Sequence, residues 1–221
     1  MDSNVARAAR LDTATISDAL DRLQIAGQCL GIKPRRAVQM AGRAFTVRYG
    51  PIDVAAPGTV GDYIDDVVPG TVVVLDNGGR EDATVWGGIL TLLAHRKAIA
   101  GTVIDGACRD TGVSAELGYP LFSRSYSMRT GKGRVQVDAV QTPVTIGGAR
   151  VQPQDIVRGD CDGVVVIPGA REVEVLAIAE EIEHAEQGIR DLIEAGKRLD
   201  EARMLLRYHS LQSPPRTEGD K

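Results

Sequence analysis

The segment 101–110 constrains the fold of this chain more than any other. Its sequence is Gly-Thr-Val-Ile-Asp-Gly-Ala-Cys-Arg-Asp, an apolar and β-branched run that is followed by an Asp-Gly turn and then by Arg109 and Asp110. Such a run predicts a buried strand at 101–104. Because α/β folds usually place their ligands beyond the carboxyl ends of the strands, we expect the guanidinium of Arg109 and the carboxylate of Asp110 to lie at a ligand site.

A pair of glycines, Gly87 and Gly88, precedes this strand. Apolar residues recur at helical spacing after the pair, and they predict a helix over about 83–98. Glycines at a helix start leave backbone N–H groups accessible, and the positive end of the helix dipole favours an anion such as a carboxylate. Twenty residues lie between Gly88 and Arg109, enough for a helix and a strand. The glycine turn and the Arg109–Asp110 pair are therefore predicted to meet in one pocket.

Helical and strand patterns alternate along most of the chain. The predicted helices cover 5–23, 61–67, 83–98, 111–117 and about 170–207, and the predicted strands cover 43–49, 71–75, 101–104, 134–140, 143–146 and 163–167. This pattern predicts an α/β fold with a central layer of strands, a second β-layer and outer helices. We expect one domain over 1–208 and a disordered tail at 209–221, where the chain is Pro-rich and charged.

The composition argues against several classes of function. The 221 residues are 43% hydrophobic, which is sufficient for one domain with a sizeable core. There are 26 basic and 30 acidic residues, and no run of Lys and Arg is interleaved with aromatics, so nucleic-acid binding is not expected. The chain has neither a signal-peptide pattern nor a membrane-spanning apolar stretch. Three cysteines without a disulfide pattern fit a reducing compartment, which predicts a soluble cytoplasmic protein without a membrane partner.

Seven segments of the chain, taken in order, resemble one family. Two of them are Trp-Gly-Gly at 86–88 and Asp-Gly-Ala-Cys-Arg-Asp at 105–110. The other five lie at 11–20, 43–47, 69–76, 143–148 and 160–168. Together they resemble the class II, metal-dependent 4-hydroxy-4-methyl-2-oxoglutarate aldolases and their relatives, which include the regulator of ribonuclease E activity A. The resemblance covers nearly everything from residue 11 to about 200.

The resemblance implies a fold, an activity and an assembly. The fold is a β/β/α sandwich like the swivelling phosphohistidine domain, with N-terminal helices and a long C-terminal helix. The activity is that of a carbon–carbon lyase, which cleaves 4-hydroxy-4-methyl-2-oxoglutarate or related 4-hydroxy-2-oxo dicarboxylates to pyruvate and a second 2-oxo acid. Oxaloacetate decarboxylation is the implied side activity. The implied cofactor is Mg²⁺ or Mn²⁺, and the site is shared between subunits of a homotrimer or hexamer.

The same resemblance implies roles for the residues singled out above. Asp110 would hold the metal, directly or through water, and Arg109 would face the carbonyl oxygen of the substrate. The N–H groups of the turn would hold the substrate carboxylate; the turn consists of Gly87, Gly88, Ile89 and Leu90. Cleavage leaves a pyruvate enolate, whose new negative charge needs a Lewis acid and a fixed cation. Lysine would supply the charge at position 109 but not the planar fork of a guanidinium.

A further acid is expected from the C-terminal helix of a neighbouring subunit. The resemblance points to Glu186, with Glu183 as the second candidate, although a helix rich in glutamate also fits a solvated face. An apolar stripe on this helix is longer than one small domain readily covers, so a neighbouring chain is expected to bury part of it. The stripe consists of Val175, Ile178, Ile182, Ile189 and Leu192 or Ile193.

Two positions depart from the family pattern. Many aldolases of this kind have an acid at the position of Gly88, and other members have one at the position of Val113, whereas this chain has neither. Missing acids weaken the outer shell of a metal site. Two alternatives therefore stay open: a local ion pair of Arg109 with Asp110, and a non-catalytic binding protein similar to the ribonuclease E regulator.

The remaining candidates are weaker. Cys108 is adjacent to Arg109, which would lower the pKa of the thiol, but no histidine base is adjacent in the sequence. The three histidines have no zinc-like spacing; they are His95, His184 and His209.

Overall fold

The computed structural model describes residues 2–206 and 208. The strands are β1 (Lys33–Pro34), β2 (Met40–Pro51), β3 (Thr71–Asp76), β4 (Thr84–Trp86), β5 (Gly101–Cys108), β6 (Leu121–Tyr126), β7 (Val135–Val140), β8 (Val144–Ile146), β9 (Ala149–Val151), β10 (Ile156–Gly159) and β11 (Val164–Ile167). The α-helices are α1 (Ser3–Ala8), α2 (Thr13–Arg22), α3 (Gly88–Arg96), α4 (Thr111–Glu116), α5 (Glu172–Glu194) and α6 (Leu199–Leu205), and 3-10 helices lie at Asp62–Asp66 and Gly169–Arg171. The tail predicted to be disordered lies outside the described residues.

A nine-stranded sheet forms the centre of the described part of the chain. Its order is β1-β6-β5-β3-β2-β10-β11, with β4 also paired to β5 and β7 to β2. The pairs β2–β3, β3–β5 and β5–β6 are parallel, whereas β10 pairs antiparallel with β2 and β11. Strands β3 and β5 are buried along almost their whole length, which is typical of parallel strands covered on both faces. Their carboxyl ends lie at one edge of the sheet.

Different layers cover the two faces of the sheet. On one face, α3 and the 3-10 helix at Asp62–Asp66 pack over a cluster that includes Trp86 and Tyr119. On the other face, the two-stranded sheet of β8 and β9 packs against β3, β5 and β10. The helices α1, α2 and α5 pack together against β10 and β11. The mixed α/β arrangement with a second β-layer is confirmed, and its comparison with the swivelling domain stays a prediction.

The predicted turn at Asp105–Gly106 is wrong, because β5 continues through both residues to Cys108. The carboxylate of Asp105 is buried and accepts hydrogen bonds from Arg124 Nε and Gly147 N, both at 2.7 Å. Glycine is required at 106 by close packing, since a Cβ there would lie 2.9 Å from the Cβ of Asn77. Arg109 still follows the end of a strand, although that strand is longer than the sequence predicts.

Other element boundaries also differ from the predicted ones. The N-terminal helix over 5–23 is two helices, because the side chain of Asp12 caps a new helix by accepting from Thr15 N at 2.6 Å. The helix predicted over 83–98 begins only at Gly88, and the residues before it form β4. The acidic helix near 61–67 is a 3-10 helix. A local cap determines the first of these boundaries, and the pairing of β4 with β5 determines the second.

The C-terminal helix predicted over about 170–207 is interrupted. Helix α5 ends at Glu194, and Gly196 then adopts a left-handed backbone with φ of 84°, where glycine is favoured. The apolar stripe is covered largely within the chain, because Val175, Ile182 and Ile189 are buried and α1 and α2 pack on α5. The stripe therefore gives no separate support for a second subunit. In the described part of the chain, no helix combines the length and apolarity needed to cross a membrane.

Candidate active site

A cavity of about 650 Å³ lies beyond the carboxyl end of β5. Its walls are five parts of the chain: the loop between β2 and the 3-10 helix, the 3-10 helix itself, the β4–α3 junction, the Arg109–Asp110 pair, and the segment 130–133. Six of the residues predicted from the sequence to form the site line this cavity, whereas Glu186, predicted to come from a neighbouring subunit, does not; the six are Gly87, Gly88, Ile89, Leu90, Arg109 and Asp110. The volume lies within the range that is common for small-molecule sites.

Strand pairing brings the glycine turn and the Arg109–Asp110 pair together. Strand β4 runs parallel to the end of β5, with Trp86 opposite Cys108. The N–H of Arg109 then donates to the carbonyl oxygen of Trp86 at 2.9 Å. Because both strands end at this level, Gly87 and Arg109 begin the two neighbouring loops. The convergence predicted from the sequence is confirmed as geometry.

Asp110 has an unusual backbone and a specific partner. Its φ and ψ of 55° and 38° lie in the left-handed region, which is uncommon for a residue other than glycine. Its Oδ2 accepts a hydrogen bond from Gly88 N at 2.9 Å and lies 3.5 Å from Arg109 Nε. Within residues 2–206 and 208, its second oxygen, Oδ1, accepts no hydrogen bond from a protein group. The side chain is 46% exposed, so this oxygen is accessible to a ligand.

The two glycines pack closely against this carboxylate and its neighbours. A Cβ at position 87 would lie 2.9 Å from Asp110 Oδ2 and 3.2 Å from Arg109 Nε. A Cβ at position 88 would lie 3.2 Å from Cγ2 of Val113. Positions 88 and 113, the two places where the resemblance expects an acid, are therefore neighbours beside Asp110.

The first turn of α3 keeps part of the predicted anion-binding capacity. The N–H of Gly88 is already bonded to Asp110, whereas the sequence predicted it to be free for a substrate. The first helical bond runs from Thr91 N to Gly87 O at 3.0 Å. Between these, the N–H groups of Ile89 and Leu90 donate to no acceptor in the described part of the chain. They are orphan donors at the positive end of a helix, where an anion is favoured.

The sequence did not predict Lys132, which is also a residue of the cavity wall. Lys132 stands between Gly131 and Gly133 in the segment before β7, far from the motifs at 86–88 and 105–110. The glycine pair that flanks a lone lysine was the available signal. Lys132 and Arg109 are the basic residues of the cavity wall, and Asp62, Asp65 and Asp110 are its acidic residues.

The predictions for Cys108 and Glu186 have different outcomes. Burial raises the pKa of the Cys108 thiol, and the bond with Ser123 Oγ at 3.3 Å only partly opposes this, so the adjacent Arg109 does not activate this thiol, which the sequence had already marked as a weak candidate. Glu186 lies on α5, outside this cavity, where it accepts from the Tyr208 hydroxyl at 3.3 Å and lies 3.6 Å from Arg190. Glu183 pairs with Arg190 at 2.7 Å. A contribution of either glutamate to a neighbouring subunit stays a prediction.

In residues 2–206 and 208, one cluster of three cation-ligand side chains is close enough to share an ion, and it lies outside the cavity. It consists of Asp160, Cys161 and Asp162. Both oxygens of Asp160 already accept hydrogen bonds, from Thr13 N at 2.8 Å, Thr13 Oγ1 at 2.7 Å and Asp162 N at 3.0 Å. The buried carboxylate thus fixes the start of α2. His95 and His184 are outside the cluster, and His209 is outside the described residues.

The fold and the cavity define a class of protein. It is a mixed α/β protein in which a carboxylate and a guanidinium follow the end of a buried strand and lie beside the start of a helix. The family model described as RraA-like, Aldolase/RraA, matches residues 13–166. The chain belongs to the RraA-like aldolase family.

Individual relatives agree with this assignment. A crystal structure of an uncharacterised protein from Pseudomonas syringae is 42% identical, with a TM-score of 0.85 over 91% of this chain and 97% of that one. Protein DlpA of Legionella pneumophila is 39% identical over 87% of this chain, and the match spans only 32% of DlpA. The 4-hydroxy-4-methyl-2-oxoglutarate aldolase of Thermus thermophilus is 31% identical over 59% of this chain and 76% of that protein. The chain thus spans about a third of the length of one of these relatives.

Proposed function

We propose that the protein is a divalent-metal-dependent aldolase that cleaves 4-hydroxy-2-oxo dicarboxylates, such as 4-hydroxy-4-methyl-2-oxoglutarate, to pyruvate and a second 2-oxo acid. Oxaloacetate decarboxylation is the proposed side activity, because loss of carbon dioxide leaves the same pyruvate enolate. One observation carries the proposal: Asp110 and Arg109 face the start of α3 in a single cavity. The name of the Thermus relative supports the choice of substrate.

The residues of the site fit a magnesium or manganese ion. Asp110 would hold it through Oδ1, which no protein group occupies in the described part of the chain. A single carboxylate is sufficient for Mg²⁺, which keeps several waters and often takes further oxygens from the substrate. When bound, the ion supplies a Lewis acid for the developing enolate charge. Glu186 of a neighbouring subunit is the proposed additional acid, in a homotrimer or hexamer.

The chain itself would bind the substrate and stabilise its charge. The N–H groups of Ile89 and Leu90 would hold the carboxylate next to the reacting carbonyl. The guanidinium of Arg109 would donate to the carbonyl oxygen, which becomes negative as the C3–C4 bond breaks. The proton of the C4 hydroxyl leaves to water, the bond electrons form the enolate, and water returns a proton to C3. No Schiff base with a lysine is needed in this sequence.

Pyruvate release tests the proposal. The purified protein is incubated with 4-hydroxy-4-methyl-2-oxoglutarate or oxaloacetate, and pyruvate is followed by its reduction with lactate dehydrogenase and NADH. We expect turnover with Mg²⁺ or Mn²⁺, loss of turnover with EDTA, and recovery when the ion is returned in excess. Absence of metal-dependent turnover on both substrates would favour the alternative, a non-catalytic binding protein.

An acid at position 113 should strengthen the metal site. Cγ2 of Val113 lies beside the bare α-carbon of Gly88, next to the Asp110 carboxylate. We expect Val113→Glu to tighten Mn²⁺ binding by about tenfold, because outer acids of a metal site are typically worth about 10- to 100-fold in affinity. Mn²⁺ affinity is measured by calorimetric titration. Val113→Gln has a similar shape without the charge and should stay at the wild-type affinity; an equal gain in both variants would contradict the electrostatic explanation.

A further inference from the structure

The loop from Ile52 to Gly61 forms one wall of the cavity, but few of its side chains are buried against the rest of the protein. It connects β2 to the 3-10 helix and lines the cavity through Ile52 and residues 57–61. Residues 53–59 are all exposed, so burial of side chains does not hold this part of the wall in place. Hydrogen bonds must therefore determine its position.

Backbone bonds and one tyrosine fix the two ends of the loop. Ile52 N donates to Arg134 O at 3.0 Å, and Val137 N donates to Thr59 O at 2.9 Å, so both ends are attached to β7 or to the residue before it. At the inner end, the buried Tyr49 hydroxyl donates to Val60 O at 2.7 Å. These bonds involve residues 52, 59 and 60, so other groups must hold the stretch from 53 to 58.

A single side-chain oxygen bridges that stretch. Oε1 of Gln136, on β7, accepts hydrogen bonds from Asp53 N and Gly58 N, each at 3.0 Å. Its aliphatic part lies against Gly58, where a Cβ would come within 3.2 Å of the Gln136 Cβ. Asp53 Oδ1 meanwhile accepts from Ala55 N at 2.8 Å, which shapes the turn without attaching it to the sheet.

We infer that Gln136 is a positioning residue, whose amide oxygen holds the 53–58 stretch, and with it the wall residues Pro57 and Gly58, and so sets the affinity for the substrate. The expected effect on substrate affinity rests on the proposed function, whereas the role of Gln136 in holding the loop does not depend on that function. Gln136 acts through Asp53 and Gly58 rather than on the reacting atoms. Its loss should therefore weaken binding more than it slows the chemical step.

The test compares three variants of the full chain. Gln136→Ala removes the acceptor, and Gln136→Glu keeps a carboxylate oxygen that accepts both N–H groups. Gln28→Ala is the matched control, because Gln28 Oε1 also accepts from a backbone N–H, that of Gly27 at 3.2 Å, but it lies outside the cavity wall. Hydrogen–deuterium exchange of peptides that cover 52–59 is measured together with KM and kcat for pyruvate release.

For Gln136→Ala we expect at least about tenfold faster exchange at 52–59 and about a tenfold higher KM, equal to about 1.4 kcal/mol, with kcat changed less than about threefold. Gln136→Glu should restore both quantities, and Gln28→Ala should change neither. Unchanged exchange in Gln136→Ala would overturn the inference, as would a fall in kcat without a rise in KM. If the wild-type protein shows no turnover, the proposed function fails, but the exchange experiment still decides whether Gln136 holds the loop.

Discussion

Asp110→Asn is expected to lower kcat/KM for metal-dependent pyruvate release by about 10³-fold, which equals about 4 kcal/mol of transition-state stabilisation. Asparagine keeps an oxygen that can accept from Gly88 N, and it tolerates the left-handed backbone at this position. The substitution therefore removes the negative charge with little change in shape. A neutral amide binds Mg²⁺ far less well than a carboxylate does. The coupled pyruvate assay measures the loss.

Asp82→Asn is the matched control for this variant. Asp82 is 52% exposed and pairs with Arg80 at 2.9 Å, so its exposure and its arginine partner resemble those of Asp110, but it lies outside the cavity wall. The metal-dependent activity of the Asp82→Asn variant should equal that of the wild-type protein. Full metal-dependent activity in Asp110→Asn, with its thermal unfolding unchanged, would show that the ion is held elsewhere.

Arg109→Lys is expected to lower kcat by about 10²-fold, the size of effect seen when one preorganised donor to a developing oxyanion is lost. Arg109 is 40% exposed on the cavity wall, and the bond of its N–H to Trp86 fixes the backbone from which its side chain extends. Lysine keeps the charge but loses the planar fork that can contact two oxygens at once. Because the interaction strengthens as charge develops, kcat should fall more than KM rises.

Arg80→Lys provides the comparison for the second variant. Arg80 also pairs with an aspartate through its guanidinium, at 2.9 Å, but outside the cavity. We expect its kinetic constants to equal those of the wild-type protein. A rise in KM with an unchanged kcat in Arg109→Lys would assign Arg109 to ground-state binding and not to the stabilisation of the enolate.

Much of the site could be predicted from the sequence, because its parts follow local patterns. The buried β-branched runs predicted the central strands β3 and β5, and the glycine pair predicted accessible backbone N–H groups at 87–88, although the helix was predicted to begin near 83. The twenty residues between Gly88 and Arg109 fit a helix and a strand, and on that ground the sequence predicted that Gly88 would meet Arg109 and Asp110. The parallel pairing of β4 with β5 that brings them together was not predicted. The structure confirms that meeting.

Contacts between distant segments account for what the sequence could not give. Asp105–Gly106 has the composition of a turn, and only the distant Arg124 and Gly147 show why Asp105 lies inside a strand. The bond from Gly88 N to Asp110 occupies a donor that the sequence left free for a substrate. Lys132 reaches the cavity from a segment without a family motif. The apolar stripe on α5 is buried by α1 and α2, which come from the other end of the chain.

The proposed function requires that Asp110 hold a divalent ion in the same cavity in which the start of α3 binds a 2-oxo acid. A crystal of the protein soaked with Mn²⁺ and pyruvate tests it most directly, because the anomalous signal of manganese locates the ion. We expect an anomalous peak beside Asp110 Oδ1, with the pyruvate carboxylate at the N–H groups of Ile89 and Leu90. A peak confined to the cluster of Asp160, Cys161 and Asp162, with none at Asp110, would contradict it.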